Sequence, residues 1–121
     1  MSSVSNSAPS RIELFFYKSL GGNEPVREWL VQLPEQSRRA VGMDLQRVQF
    51  RFPVGMPLVR PMGHGLFEVR TNLPDRTMAR ILFCFHDGAL YALNGFIKKS
   101  QKTPEAELEL ARKRQKEIEN A

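Results

Sequence analysis

Residues 66–103 read LFEVRTNLPDRTMARILFCFHDGALYALNGFIKKSQKT, and they carry charges inside segments apolar enough to be strands. Glu68, Arg70 and Arg80 interrupt the first two segments, and Lys98, Lys99 and Lys102 crowd the end of the third. Charges without partners are costly in a core, so these residues are expected to share a wet face or rim of a sheet. Side chains alternate along a strand, which sends Glu68 and Arg70 to one side of residues 66–71 and Phe67 and Val69 to the other. In Met78–His86 the same rule groups Arg80 with Leu82, Cys84 and His86, opposite Ile81, Phe83 and Phe85. One carboxylate among several cations has the makings of metal-free RNA cleavage. A base takes the ribose 2′-OH proton, cations hold the charge that builds on phosphorus, and an acid protonates the leaving 5′ oxygen. The same residues also suit a plain cross-strand ion pair, Glu68 with Arg70 or Arg80, on a solvated face. The charges do not say which group would be the acid.

Two histidines and one cysteine complete the reactive set. His64 lies between Gly63 and Gly65, in a loop that could reach the charged face as an RNA contact, or be merely exposed. His86 precedes Asp87-Gly88 and reads as a turn-edge residue. Neither has a second histidine or a carboxylate at ligand spacing, so no metal site and no cofactor are expected. Cys84, alone among Leu82, Phe83 and Phe85, rules out a disulfide framework and reads as a buried, inert thiol.

These groups sit in a chain of 121 residues, the size of one ordinary domain. Eighteen Lys and Arg against thirteen Asp and Glu leave a formal charge of +5, which favours nucleic acid, an anionic membrane or an acidic partner. No run approaches the ~20 apolar residues of a membrane span. Residues 1–10 are Ser-rich and lack the basic and apolar regions of a signal peptide, so a disordered tail and a cytoplasmic location are expected.

The elements that must position the charges follow from periodicity. Residues 11–18 alternate as a strand, with Ile12, Leu14 and Phe16 on one side, and Gly21-Gly22 end it. Pro25 opens a helix whose stripe is Val26, Trp29, Leu30 and Leu33. After Pro34 a second helix over Glu35–Arg51 carries Val41, Leu45, Val48 and Phe52, and the two are expected to form a hairpin covering one face of a sheet. Residues 53–65, with three prolines and three glycines, read as a loop. Asp87-Gly88 marks a tight antiparallel hairpin, residues 72–77 a looser turn, and Asn94-Gly95 a bulge or a close backbone approach. Thr103 and Pro104 predict a capped start for a last helix with a thin stripe of Leu108, Ala111 and Ile118, packed by one edge or left for a partner. The expected order is β-α-α-β-β-β-α over residues 11–121: an α+β fold with a four-stranded, largely antiparallel sheet, a helical hairpin on one face, and a C-terminal helix.

The order of elements and the strings LFEVR (66–70), MARILFCF (78–85) and ALNGFIKKSQKTP (92–104), followed by a Glu/Arg-rich helix, resemble the RelE/ParE toxin superfamily, most closely its HigB-like, phage-derived branch. The resemblance spans residues 12–118 and implies the toxin of a type II toxin–antitoxin pair. In RelE- and HigB-like members that means a ribosome-dependent, metal-independent endoribonuclease, an mRNA interferase. It implies a phosphate-stabilising role for Arg80, a second basic position at Arg70, Glu68 in place of another basic residue, and a catalytic Lys99 beside Lys98. With Lys98, Lys102 and His64 are expected to contact RNA. The tyrosine that many such enzymes carry after the basic pair is absent here, where the chain continues Ser100, Gln101, Lys102. The alternatives are a ParE-like toxin that inhibits gyrase without nuclease activity, and a non-catalytic nucleic-acid-binding module. The implied partners are a cognate antitoxin with a helix-turn-helix domain, mRNA on the ribosome, and operator DNA only through the antitoxin.

Overall fold

The structure, a computed structural model, describes residues 11–99 and 102–121; the expected tail at 1–10 lies outside the described residues. The elements run β1 (Leu14–Phe16), α1 (Pro25–Val31), α2 (Glu35–Arg51), β2 (Val59–Gly63), β3 (Leu66–Asn72), β4 (Met78–His86), β5 (Ala89–Lys98) and α3 (Glu105–Glu119). All strands join one sheet in the order β1-β5-β4-β3-β2. The class is α+β, as expected, but the sheet has five strands and is mixed: β1 runs parallel to β5, while β2 to β5 form an antiparallel meander.

The additional strand is β2, inside the segment read as a loop. Pro61 cannot donate to a ladder, but β2 is an edge strand, where a missing donor on one side is tolerated. His64 and Gly65 both take positive φ, of 54° and 79°, and turn β2 into β3. At the other hairpin Asp87 and Gly88 have φ of 50° and 83°, the signs that a type I′ turn requires.

One face of the sheet packs under α1 and α2. Val26 and Leu30 from α1, and Val41, Leu45 and Val48 from α2, bury against Val59, Val69, Ile81, Phe83, Leu90 and Ala92. The helical spacing read from sequence is the one the helices use. Trp29 packs against Gly95, where a Cβ would come 2.7 Å from its ring, so the glycine answers to a close approach. The neighbouring register shift leaves Leu93 as an extra residue in β5. Leu93 and Asn94 therefore both serve the opposite face.

That opposite face is covered by α3 and is not open. Leu66, Leu82, Cys84, Leu93 and Phe96 bury against Ala111, with Tyr17 at the edge. The thin apolar stripe of α3 suffices because polar side chains clamp the helix to backbone. Asn94 Nδ2 donates to the Glu107 carbonyl (3.1 Å), Arg114 to the Leu93 carbonyl (2.8 Å), Arg112 to the Met62 carbonyl (2.8 Å), and Gln115 to the His64 carbonyl (2.9 Å). Burial pushes the Cys84 thiol up to about 12, with the Glu119 carboxylate adding to the shift, so the cysteine is inert packing.

Candidate functional site: a charged nest beneath the last helix

The α3-covered face changes character along its length. Beyond Leu82, toward Met78, its residues are Glu68, Arg70, Arg80 and Lys98. Ladder registry brings them together: Arg70 faces Arg80, Arg80 faces Phe96, and Met78 faces Lys98. On the other side Glu68 faces Arg60 in β2. Residues paired across an antiparallel ladder project to the same side, so Arg60 belongs to the group.

Strand alternation places these side chains together as expected, but not on a wet face. Glu68 is 0% exposed, Arg80 2% and Lys98 5%. The expectation of an open surface fails because alternation fixes the side a residue faces, not what covers that side. The Glu68 carboxylate lies 3.7 Å from Arg80 Nη1 and accepts a 2.8 Å hydrogen bond from the Thr103 hydroxyl on its other oxygen. Thr103 is accordingly no helix cap: α3 begins at Glu105, and Pro104 takes the N-cap position with no side-chain cap. A buried carboxylate outbids a helix terminus for the hydroxyl, since a bond to a charge is roughly twice as strong.

Four cations surround this one carboxylate, and their hydrogen-bonding capacity is underused. Arg80 Nε and Nη1, Arg70 Nε and the acceptor Glu68 Oε1 are buried and make no hydrogen bond among the described residues, three donors against one acceptor. Among the described residues Arg80 Nη2 reaches the Met78 thioether at 3.6 Å and Arg70 Nη1 the Met56 thioether at 3.7 Å. Burial lowers the Arg80 pKa, opposed by Glu68 and reinforced by Arg70 and Arg60. Burial likewise lowers that of Lys98, with Arg80 adding to the shift and Glu68 opposing it. A nest so rich in donors and poor in acceptors is suited to an anion.

The remaining residues divide by place. Lys99 and Lys102 are exposed near the end of β5 and before α3, and Lys102 with Arg60 and Thr103 lines a cavity of about 370 Å³. His64 is not part of the nest: it sits in the β2–β3 turn, and Gln115 from the C-terminal half of α3 bonds its carbonyl. From Leu66 to Arg70 the strand rises roughly 13 Å, which separates the two ends. Neither tyrosine joins the nest. Tyr17 donates to Glu117 (2.6 Å), and Tyr91 faces Cys84 and stacks on Phe15. Sequence reasoning missed Arg60 and the Thr103 contact. A strand reading of residues 59–63 would have found the first, and no sequence signal announces the second.

Among the described residues no group of three or more His, Cys, Asp or Glu could hold a metal ion, and no helix is long and apolar enough to cross a membrane. Comparison with known families finds a match over residues 28–116 to the model described as phage-derived protein Gp49-like (DUF891). No curated protein matches the chain.

Proposed function

The chain belongs to the phage-derived Gp49-like family, a RelE-like toxin family of toxin–antitoxin systems with a cognate antitoxin as implied partner, and on that premise we propose that it is a ribosome-dependent, metal-independent mRNA endoribonuclease acting in the cytoplasm. The HigB-like branch and a helix-turn-helix antitoxin, through which alone the pair meets operator DNA, belong to the same proposal. The observation that carries it is the imbalance of the nest. Arg60, Arg70, Arg80 and Lys98 crowd one buried carboxylate, with guanidinium N–H groups left unpartnered among the described residues.

In this reading the ribose 2′-OH gives its proton to a base and its oxygen attacks phosphorus, while the bond to the 5′ oxygen breaks and that oxygen takes a proton, leaving a 2′,3′-cyclic phosphate and a 5′-hydroxyl. Charge develops on the non-bridging oxygens, where Arg70 and the exposed Lys99 meet it, and Arg80 acts from behind. Lys102 and Arg60 guide the flanking backbone, and His64 contacts the RNA chain further off. Glu68 has one oxygen on Thr103 and the other toward Arg80. It is therefore a positioning residue for Arg80 rather than the base that takes the 2′ proton. Lys98, beside Arg80 in the same group and with its pKa lowered by burial and then by Arg80, carries that proton in this reading.

One observation favours a gyrase-directed toxin instead: Glu68 and Arg80 are sealed from solvent. Induced expression of the chain, followed by primer extension on cellular mRNA and a parallel DNA-supercoiling assay, tests both. The interferase reading expects growth arrest, new mRNA ends and unchanged supercoiling. Arrest with intact mRNA and relaxed DNA would put the gyrase reading first. Normal growth with abundant folded protein would remove both.

A further inference from the structure

A groove runs between the edge strand β2 and the first turns of α3. Arg60 and Met62 line it from the strand, Glu105 and Leu108 from the helix, and Lys102 and Thr103 from the segment before the helix. Its volume, about 370 Å³, gives room for one nucleobase. Farther along α3, Arg112 ties the helix to β2 by donating to the Met62 and Gly63 carbonyls. At its other end the groove adjoins the cationic nest, because Thr103 is bonded to Glu68 and Arg60 faces Glu68 across the ladder.

The lining has the chemistry of a base reader. Met62 and Leu108 are half-buried apolar side chains able to flank a flat ring. Glu105, exposed at the helix start, only accepts hydrogen bonds, while Arg60 and Lys102 donate. Among the four bases, guanine alone presents two adjacent N–H donors, N1–H and the N2 amino group, to the two oxygens of one carboxylate. It also offers O6 and N7 as acceptors to cations. Adenine and cytosine set a ring-nitrogen acceptor beside their amino group, which a carboxylate repels. We infer that this groove takes a guanine base, that of the nucleotide whose phosphate rests on the adjoining cations. The inference rests on the RNA-cleaving reading and adds a base preference to it.

The test uses the full chain and four oligonucleotides without 2′-hydroxyls, which offer no nucleophile and are not cut. They are identical except for one central guanine, adenine, cytosine or uracil, and binding is read by fluorescence anisotropy. The guanine oligomer should bind about tenfold or more tightly than the others. Glu105→Gln should bring it down to the level of the adenine oligomer, since an amide gives one oxygen and one unwanted donor. Guanosine 5′-monophosphate should compete only at far higher concentration. Equal affinity for the four oligomers, or a guanine preference that survives Glu105→Gln, overturns the inference; mRNA cleavage that persists then leaves the nuclease reading standing. Full competition by the free nucleotide overturns the assignment to an RNA chain. Absence of oligonucleotide binding together with absence of mRNA cleavage overturns both readings.

Discussion

The two ends of the face beneath α3 are built from the same strands and the same helix, yet they obey opposite rules. At one end Leu66, Leu82, Cys84, Leu93 and Ala111 pack as an ordinary apolar core. At the other Glu68, Arg80 and Lys98 are nearly as buried, with a single carboxylate to balance the cations. The apolar end stabilises the protein by removing hydrocarbon from water. The charged end works against folding, because its ions lose hydration that the 3.7 Å Glu68–Arg80 contact restores only in part. A region that breaks the rules of packing inside an otherwise consistent fold is where function is to be sought.

The comparison is broken most severely by removing one ion of the pair. Arg80→Ala should destabilise the fold by about 3–5 kcal/mol, since it removes the buried 3.7 Å ion pair with Glu68 and leaves a cavity in its place. This departs from what an arginine on a solvated face would do. The double variant Glu68→Leu with Arg80→Met should recover most of the loss in urea denaturation, and should still arrest no growth. At the apolar end Leu82→Ala should cost about 2–5 kcal/mol, and no second truncation there should restore it. If the double variant is no more stable than Arg80→Ala, the charged end is not the unfavourable region argued above.

Much of this architecture is legible in the sequence. The stripes of α1 and α2 and the Asp87-Gly88 turn stand out because helix period and positive-φ turns leave strong local marks. The strand β2 does not, because Pro61 and the flanking glycines imitate a loop and a non-glycine residue at positive φ, as His64 is, is uncommon. Losing β2 also hid Arg60, which only the ladder sets opposite Glu68. The residues of the nest are legible as a set, since alternation places Glu68, Arg70 and Arg80 on one side. Their burial is not, because no local pattern announces that Thr103 closes on Glu68, or that Asn94, Arg112 and Arg114 hold down the α3 that follows it.

Two smaller changes sharpen the contrast from within the charged end. Thr103→Val removes the neutral donor that Glu68 has among the described residues and should cost about 1.5–3 kcal/mol, the range for a hydrogen bond to a charged group. Lys98→Met should do the reverse. The folded-state pKa of Lys98 lies below its ordinary 10.5 through burial, then Arg80, so the unfolded chain binds that proton more tightly. The penalty is complete below the folded pKa and is relieved as pH rises toward 10.5. Lys98→Met should therefore raise the denaturation midpoint at pH 7, and its advantage should shrink as pH approaches 10.5. Lost mRNA cleavage with raised stability would mark Lys98 as a residue kept for chemistry.

The smallest effect on folding is expected at the rim. Lys99 is exposed just past β5, outside the buried group. Lys99→Ala should shift stability by less than about 0.5 kcal/mol, as surface substitutions away from special features do. Its effect on RNA should nonetheless be measurable. A lysine that meets one phosphate weakens binding about equally for all base sequences, and its loss reduces the salt dependence by roughly one unit of slope. Anisotropy titrations of the guanine and adenine oligomers at two or more salt concentrations give both quantities. A uniform weakening with a shallower slope places phosphate on the rim, while the buried nest behind it supplies the field. Unchanged affinity and slope would move the phosphate inward, and the nest would then have to open for substrate to enter.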